Sequence, residues 1–170
     1  MVVDARFPAL IVNLRENESH LDMLVDQISR RVGVIPFVGA GLSAQLGFPL
    51  WTTFLRDQAI LAQKQQETDS MLRAGRYEEA AQELMDSRGS RRLNDAISTT
   101  FSRTPDILAL GAAGAHYIPD IADDLVVTTN FDRVLEAAFA QAQRPFLNVL
   151  WGARVSQAVE VLTTGDRTLI

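Results

Sequence analysis

Two short stretches of this chain hold the residue types that bind and convert small polar ligands. The first, Gly39-Ala40-Gly41-Leu42-Ser43-Ala44, follows the apolar run Val34 to Val38 and leads on to Gly47, Pro49 and Trp51. Glycine permits a tight turn and lets backbone amides approach a diphosphate with no Cβ in the way. Amides opening the next helix then face the anion, and the Ser43 hydroxyl either joins them on a phosphate or caps that helix. The pattern matches the dinucleotide fingerprint G-x-G-x-x-A, a short pattern that also serves as a plain strand-to-helix turn.

The second stretch is Leu125-Val126-Val127-Thr128-Thr129-Asn130-Phe131-Asp132. An apolar run ending abruptly in small and polar residues is how a buried parallel strand delivers a loop to a ligand at its C-terminal end. Asp132 has a plain alternative role as the cap of the following helix. Asn130, an uncharged donor and acceptor, stands where doubly wound sheets bind substrates. Two such strand edges in one chain predict one site built from both.

The elements that would carry these edges follow from periodicity. Residues 1–18 are weakly patterned and read as an arm. Ser19, with Asp22 three positions on, opens a helix whose face is Leu21, Leu24, Val25 and Ile28, and Gly33 can end it. Val34 to Val38 reads as a strand, and Pro36 makes it lateral or locally irregular. From about Thr52 to Ile118 the pattern is helical. Its stripes are Trp51, Phe54, Leu55 and Leu61; then Tyr77, Ala80, Ala81 and Leu84; then Leu93, Ile97 and Phe101. Breaks fall near Gly75, residues 87–90 and Thr104-Pro105, so a helical insertion or lid is expected between two strands. Leu125 to Thr129 reads as a strand, Asp132 to Gln141 as a helix and Phe146 to Leu150 as a strand. Val155 to Leu162 fits helix or strand, and Thr168-Leu169-Ile170 is a strand beginning after a turn at Gly165-Asp166.

The glycine loop departs from a standard dehydrogenase in two ways. Gly47-Phe48-Pro49 interrupts the helix early, and no acidic residue ends a second strand roughly twenty positions further on. A variant nucleotide fold is therefore expected.

Composition narrows the partners. The 170 residues are 47% hydrophobic and 22% charged, ordinary values for one globular domain. A net charge of −5 disfavours a nucleic-acid groove, and the basic groups at Arg30-Arg31 and from Arg88 to Arg92 read as solvated faces. No apolar run reaches membrane-spanning length, and Met1-Val2-Val3-Asp4 lacks the layout of a secretory signal. With no cysteine there is neither a disulfide nor a thiolate metal site, which suits a reducing cytoplasm.

Taken together, the motifs resemble the sirtuin superfamily, and more closely its bacterial sirtuin-like NADase branch of anti-phage defence proteins. Sirtuins carry Gly-Ala-Gly-x-Ser followed by Gly-x-Pro, met here by Gly39, Ala40, Gly41, Ser43, Gly47 and Pro49. The defence branch typically writes its second motif Thr-Thr-Asn-Tyr-Asp, met here as Thr128-Thr129-Asn130-Phe131-Asp132. Pro36-Phe37 and Trp51 also look like that branch. Deacylating sirtuins usually place Asp-Phe-Arg after the motif proline, where this chain has Leu50-Trp51-Thr52. The resemblance covers about residues 33 to 140.

The resemblance implies an α/β domain over residues 19–170: a Rossmann-like parallel sheet with a helical insertion at about 52–118, incomplete at its C-terminus. It implies NAD as substrate, cleaved at the nicotinamide–ribose bond, with no metal in this chain. The diphosphate would lie on Gly39, Ala40, Gly41 and Ser43, with Gly47, Pro49, Trp51, Thr128, Thr129 and Asn130 completing the binding set. Asn130 would hold the ribose or the attacking water, and Asp132 would orient the site. The family's general base is a histidine downstream of the Asn motif, and no histidine follows His116 here. That role does not carry over to His116, which reads as a helix-end or surface residue, or to His20 on the N-terminal helix. The chain is thus expected to be an incomplete catalytic unit. The implied setting is a cytoplasmic effector module with further domains or partner subunits, itself homo-oligomeric, touching neither nucleic acid nor membrane. An NAD-dependent protein deacylase and a noncatalytic nucleotide-sensing or assembly domain remain as alternatives.

Overall fold

Leu125-Val126-Val127-Thr128 is rich in β-branched side chains and forms the strand on which the others are arranged. In the computed structural model, which describes residues 17–30, 33–152, 163 and 165–170, the chain is a mixed α/β protein with a small parallel four-stranded sheet. The strands are β1 (Phe37–Val38), β2 (Leu125–Thr128), β3 (Asn148–Val149) and β4 (Thr168–Leu169), in the order β1-β2-β4-β3. Phe37 pairs with Val127 and Val38 with Thr128, so both strands end side by side.

The expected strand over 34–38 shrinks to two residues. Pro36 has no N–H to give, and its carbonyl instead accepts from Val127 at 2.9 Å. Among the described residues β1 is an edge strand, the lateral position that tolerates proline. The last strand behaves differently: β4 lies between β2 and β3, with Thr168 and Leu169 both buried.

Helix α1 (Asn17–Ser29) begins two residues before Ser19, and Leu24 is exposed rather than covered. After β1 come α2 (Ala40–Ala44), α3 (Trp51–Ala62), α4 (Gln65–Arg73), α5 (Tyr77–Arg88), α6 (Ser90–Phe101), α7 (Ile107–Ala112), a 3₁₀ turn (Ala115–Tyr117) and α8 (Ile118–Ile121). Helix α9 (Val134–Gln141) follows β2. Gly75 and Gly89 have positive φ, at 74° and 88°, and mark the breaks between α4, α5 and α6. The three stripes hold in outline, with two corrections. Leu61 is 66% exposed and Tyr77 44% exposed, while Gln58 and Ala59 take the covered positions on α3. Thr68 and Leu72 of α4 are buried as well, a helix that the three stripes did not separate out.

The larger apolar cluster joins Phe54, Leu55, Leu84, Leu93 and Phe101 to Val134 and Ala138 of α9. A smaller one joins Val38, Val126 and Leu169 of the sheet to Leu135 and Phe139. Helix α9 thus serves both, which ties the helical block to the sheet. Most of the arm over residues 1–18, the segment 155–162 and Arg31 lie outside the described residues. Among the described residues no helix is long and apolar enough to cross a membrane.

Candidate functional site

The parallel register of β1 and β2 brings the two sequence edges together at one end of the sheet. Thr128 makes the join: its hydroxyl donates to the Val38 carbonyl at 2.9 Å and accepts from the Asn130 amide at 3.1 Å. Thr129 adds a backbone bond to the same Val38 carbonyl at 3.3 Å. The turn that leaves β2 is thereby fixed against the residue that precedes Gly39.

From that turn the Asn130 side-chain amide donates to Ser43 Oγ at 3.0 Å, linking residues 87 positions apart. Ser43 is 2% exposed, so this bond lies out of water. The other amide atom, Asn130 Oδ1, is buried and has no hydrogen-bond partner among the described residues. Leaving a buried acceptor unmet costs about 1–3 kcal/mol, so the position is expensive unless something else supplies a donor.

The cleft beside this pair has a volume of about 400 Å³. One wall comes from the strand edges: Ala40, Ser43, Thr129, Asn130 and Asp132. The other is largely aromatic: Pro49 and Trp51 at the start of α3, Phe101 at the end of α6, and Phe131, with Glu78 and Ala81 from α5 at its margin. Trp51 stacks on Phe54 at 5.3 Å and meets Phe131 at 5.2 Å, while Phe101 lies 5.9 Å from Phe131. A space of this size with an apolar wall and a few convergent polar groups has the proportions of a small-molecule site.

The expected ligand residues separate into two groups. Ala40, Ser43, Pro49, Trp51, Thr129, Asn130 and Asp132 line the cleft; Gly39, Gly41, Gly47 and Thr128 are not in its lining but adjoin residues that are. Thr128 builds the turn, and Gly47 has φ of 78°, a conformation that a glycine adopts at no cost. Gly39 and Gly41 are a different matter. Neither has positive φ, and a Cβ added at either would meet nothing within 4 Å. Gly41 also sits inside a helix, where glycine costs roughly 1 kcal/mol relative to alanine. Gly39 is the N-cap of α2, a position that suits glycine, whereas neither backbone conformation nor internal packing accounts for Gly41.

Helix α2 is five residues long, much shorter than the helix expected after a dinucleotide loop. Its first amides have no carbonyl within the helix to bond, but so short a helix adds little dipole. Asp132 does cap the chain ahead of α9, its Oδ1 accepting from the Val134 amide at 3.0 Å, and it also borders the cleft. His116 packs on Tyr117 with ring centroids 3.7 Å apart, and His20 is exposed on α1; neither lines the cleft.

Sequence reasoning missed Phe101, Phe131, Ala81 and Glu78. Phe131 lies within the second motif, between two residues chosen for their polarity. Phe101 and Ala81 continue helical stripes and are indistinguishable there from core. Glu78 sits on a polar helix face, where nothing in the sequence singles it out. Among the described residues no group of three or more His, Cys, Asp or Glu could hold a metal ion. No protein-family model matches this chain, and no curated protein matches it significantly.

Proposed function

We propose that the chain is an NAD-cleaving domain of the sirtuin-like type, acting on the nicotinamide–ribose bond at the cleft between the two strand edges. The observation that carries this reading is the 3.0 Å bond from Asn130 to Ser43, with Asn130 Oδ1 left buried and unmet beside the cleft. A small turn of the Asn130 side chain, whose Oδ1 is closed to solvent as it stands, would let a ribose hydroxyl or an attacking water supply the missing donor. Gly41, with open space around it and an ordinary backbone conformation, is explained by the close approach of a diphosphate to the backbone, and Gly39, which also caps α2, leaves the same approach open. A Rossmann-like arrangement is supported by the parallel strands and by loops that converge at their C-terminal ends.

On this reading the reaction needs little covalent chemistry from the protein. Nicotinamide leaves as positive charge develops at the ribose C1′, and positioning together with electrostatics supplies most of the acceleration. Asn130 orients the ribose or the water. Asp132 commits Oδ1 to the Val134 amide and borders the cleft. The wider setting proposed is a cytoplasmic effector of a bacterial defence system, working with further domains or subunits.

A second reading, an NAD-binding domain without turnover, is favoured by one observation: neither His20 nor His116 lines the cleft. Nicotinamide release from NAD, measured for the chain and for Asn130→Ala, separates the two. Catalysis predicts release that falls by about 100-fold or more in the variant, the loss typical of removing a group that stabilises the transition state. NAD binding with no release in either protein supports the second reading, and absence of binding removes both.

A further inference from the structure

Three residues at the cleft come from helices α5 and α6: Glu78 and Ala81 near the start of α5, and Phe101 at the end of α6. Packing explains two of them, since Phe101 belongs to the larger apolar cluster and Ala81 lies against it. Glu78 is exposed and belongs to neither cluster. A carboxylate in the first turn of α5 suits the helix dipole, but Glu79 beside it meets that need equally. The two neighbours differ in what holds them. Glu79 pairs with Arg76 at 3.0 Å, whereas among the described residues no basic side chain pairs with Glu78.

Around the same space stand the rings of Trp51, Phe101 and Phe131 and a second carboxylate, Asp132, with no lysine or arginine in the lining. Aromatic faces carry negative electrostatic potential and attract a cation, and two carboxylates add to that field. A flat neutral ring gains stacking from such a wall and nothing more. A flat cationic ring gains stacking and charge together.

We propose that Glu78 makes the cleft selective for the oxidised, cationic pyridinium form of a pyridine dinucleotide over the neutral reduced form. The inference rests on the NAD reading above and adds a specificity-determining residue to it. The two forms share both riboses, the diphosphate and the adenine, so the glycine loop and Ser43 cannot tell them apart. They differ in one positive charge on the ring, which a carboxylate at the cleft margin senses directly. Glu78 remains exposed, so solvent screening keeps the discrimination moderate, about two- to fivefold.

Equilibrium dialysis against NAD, its reduced form and ADP-ribose tests this, with intact ligand quantified by chromatography. The proteins are the 170-residue chain, Glu78→Gln and Glu79→Gln. The chain should bind the oxidised form more tightly than the reduced form. Glu78→Gln should narrow that preference by about two- to fivefold and leave binding of ADP-ribose, which lacks the ring, essentially unchanged. Glu79→Gln should keep the preference intact. An unchanged preference in Glu78→Gln with ADP-ribose still bound overturns the role of Glu78 and leaves the NAD reading standing. Failure of all three ligands to bind overturns the NAD reading, and this inference with it.

Discussion

The two walls of the cleft are built on opposite principles. The strand-edge wall draws Ala40, Ser43, Thr129, Asn130 and Asp132 from two short contiguous segments, and the side chains of Ser43, Asn130 and Asp132 are held by hydrogen bonds. The aromatic wall draws Trp51, Phe101 and Phe131 from positions spread over much of the chain and is held by packing. Polar groups at strand ends add little to stability and border the cleft. Phe101 belongs to the larger apolar cluster and Trp51 packs against it, so core and cleft are coupled on the aromatic wall and largely separable on the other.

The largest test of that contrast is Phe101→Ala. Phe101 is 5% exposed and packs on Phe54 at 5.4 Å as well as on Phe131. Truncating it should cost about 3–5 kcal/mol of unfolding free energy, read by denaturant titration, because a cavity opens in the larger core. Ligand binding should fall with it. A loss of binding at unchanged stability would uncouple the aromatic wall from the fold.

Asp132→Ala probes the other wall and should cost less. Losing the bond to the Val134 amide removes about 1 kcal/mol of stability, the usual value of a helix-start acceptor. Asp132→Asn retains an acceptor and should recover most of that stability. If the ligand role is also correct, neither variant should recover full activity, a split that nicotinamide release would read.

The smallest expected effect lies away from both walls. Lys64 is held by Glu83 at 3.2 Å and Glu67 at 3.4 Å, and these carboxylates raise its pKa above the usual lysine value, Glu83 contributing most. A raised folded-state pKa stabilises fully below the unfolded value of 10.5, and that contribution is lost as pH rises through the folded pKa. Lys64→Met should therefore melt slightly below the parent near neutral pH and converge with it in strong alkali. The cleft should be indifferent to the change.

How much of this was legible in the sequence follows the same division. Hydrogen-bonding residues at strand ends form compact patterns, so the 39–43 and 128–132 edges were readable, and of the two options Pro36 left open, a lateral or an irregular strand, β1 is lateral among the described residues. Leu61 was misplaced because helical spacing fixes a face but not which residue at its edge meets a neighbour. The interior position of β4 was invisible, since Thr168-Leu169 carries no mark of which strands flank it. Phe101 and Glu78 became site residues only when helices α5 and α6 folded back on the strand edges.

Gly41→Ala tests the central claim, that the glycine loop is kept open for a ligand, most directly. Gly41 has ordinary φ and space around it, so alanine should be tolerated and should raise unfolding free energy by up to about 1 kcal/mol. The same substitution should weaken NAD binding by about tenfold or more, because a methyl group then stands where the diphosphate approaches the backbone. Unchanged binding at raised stability would contradict the account and leave the loop as a strand-to-helix turn.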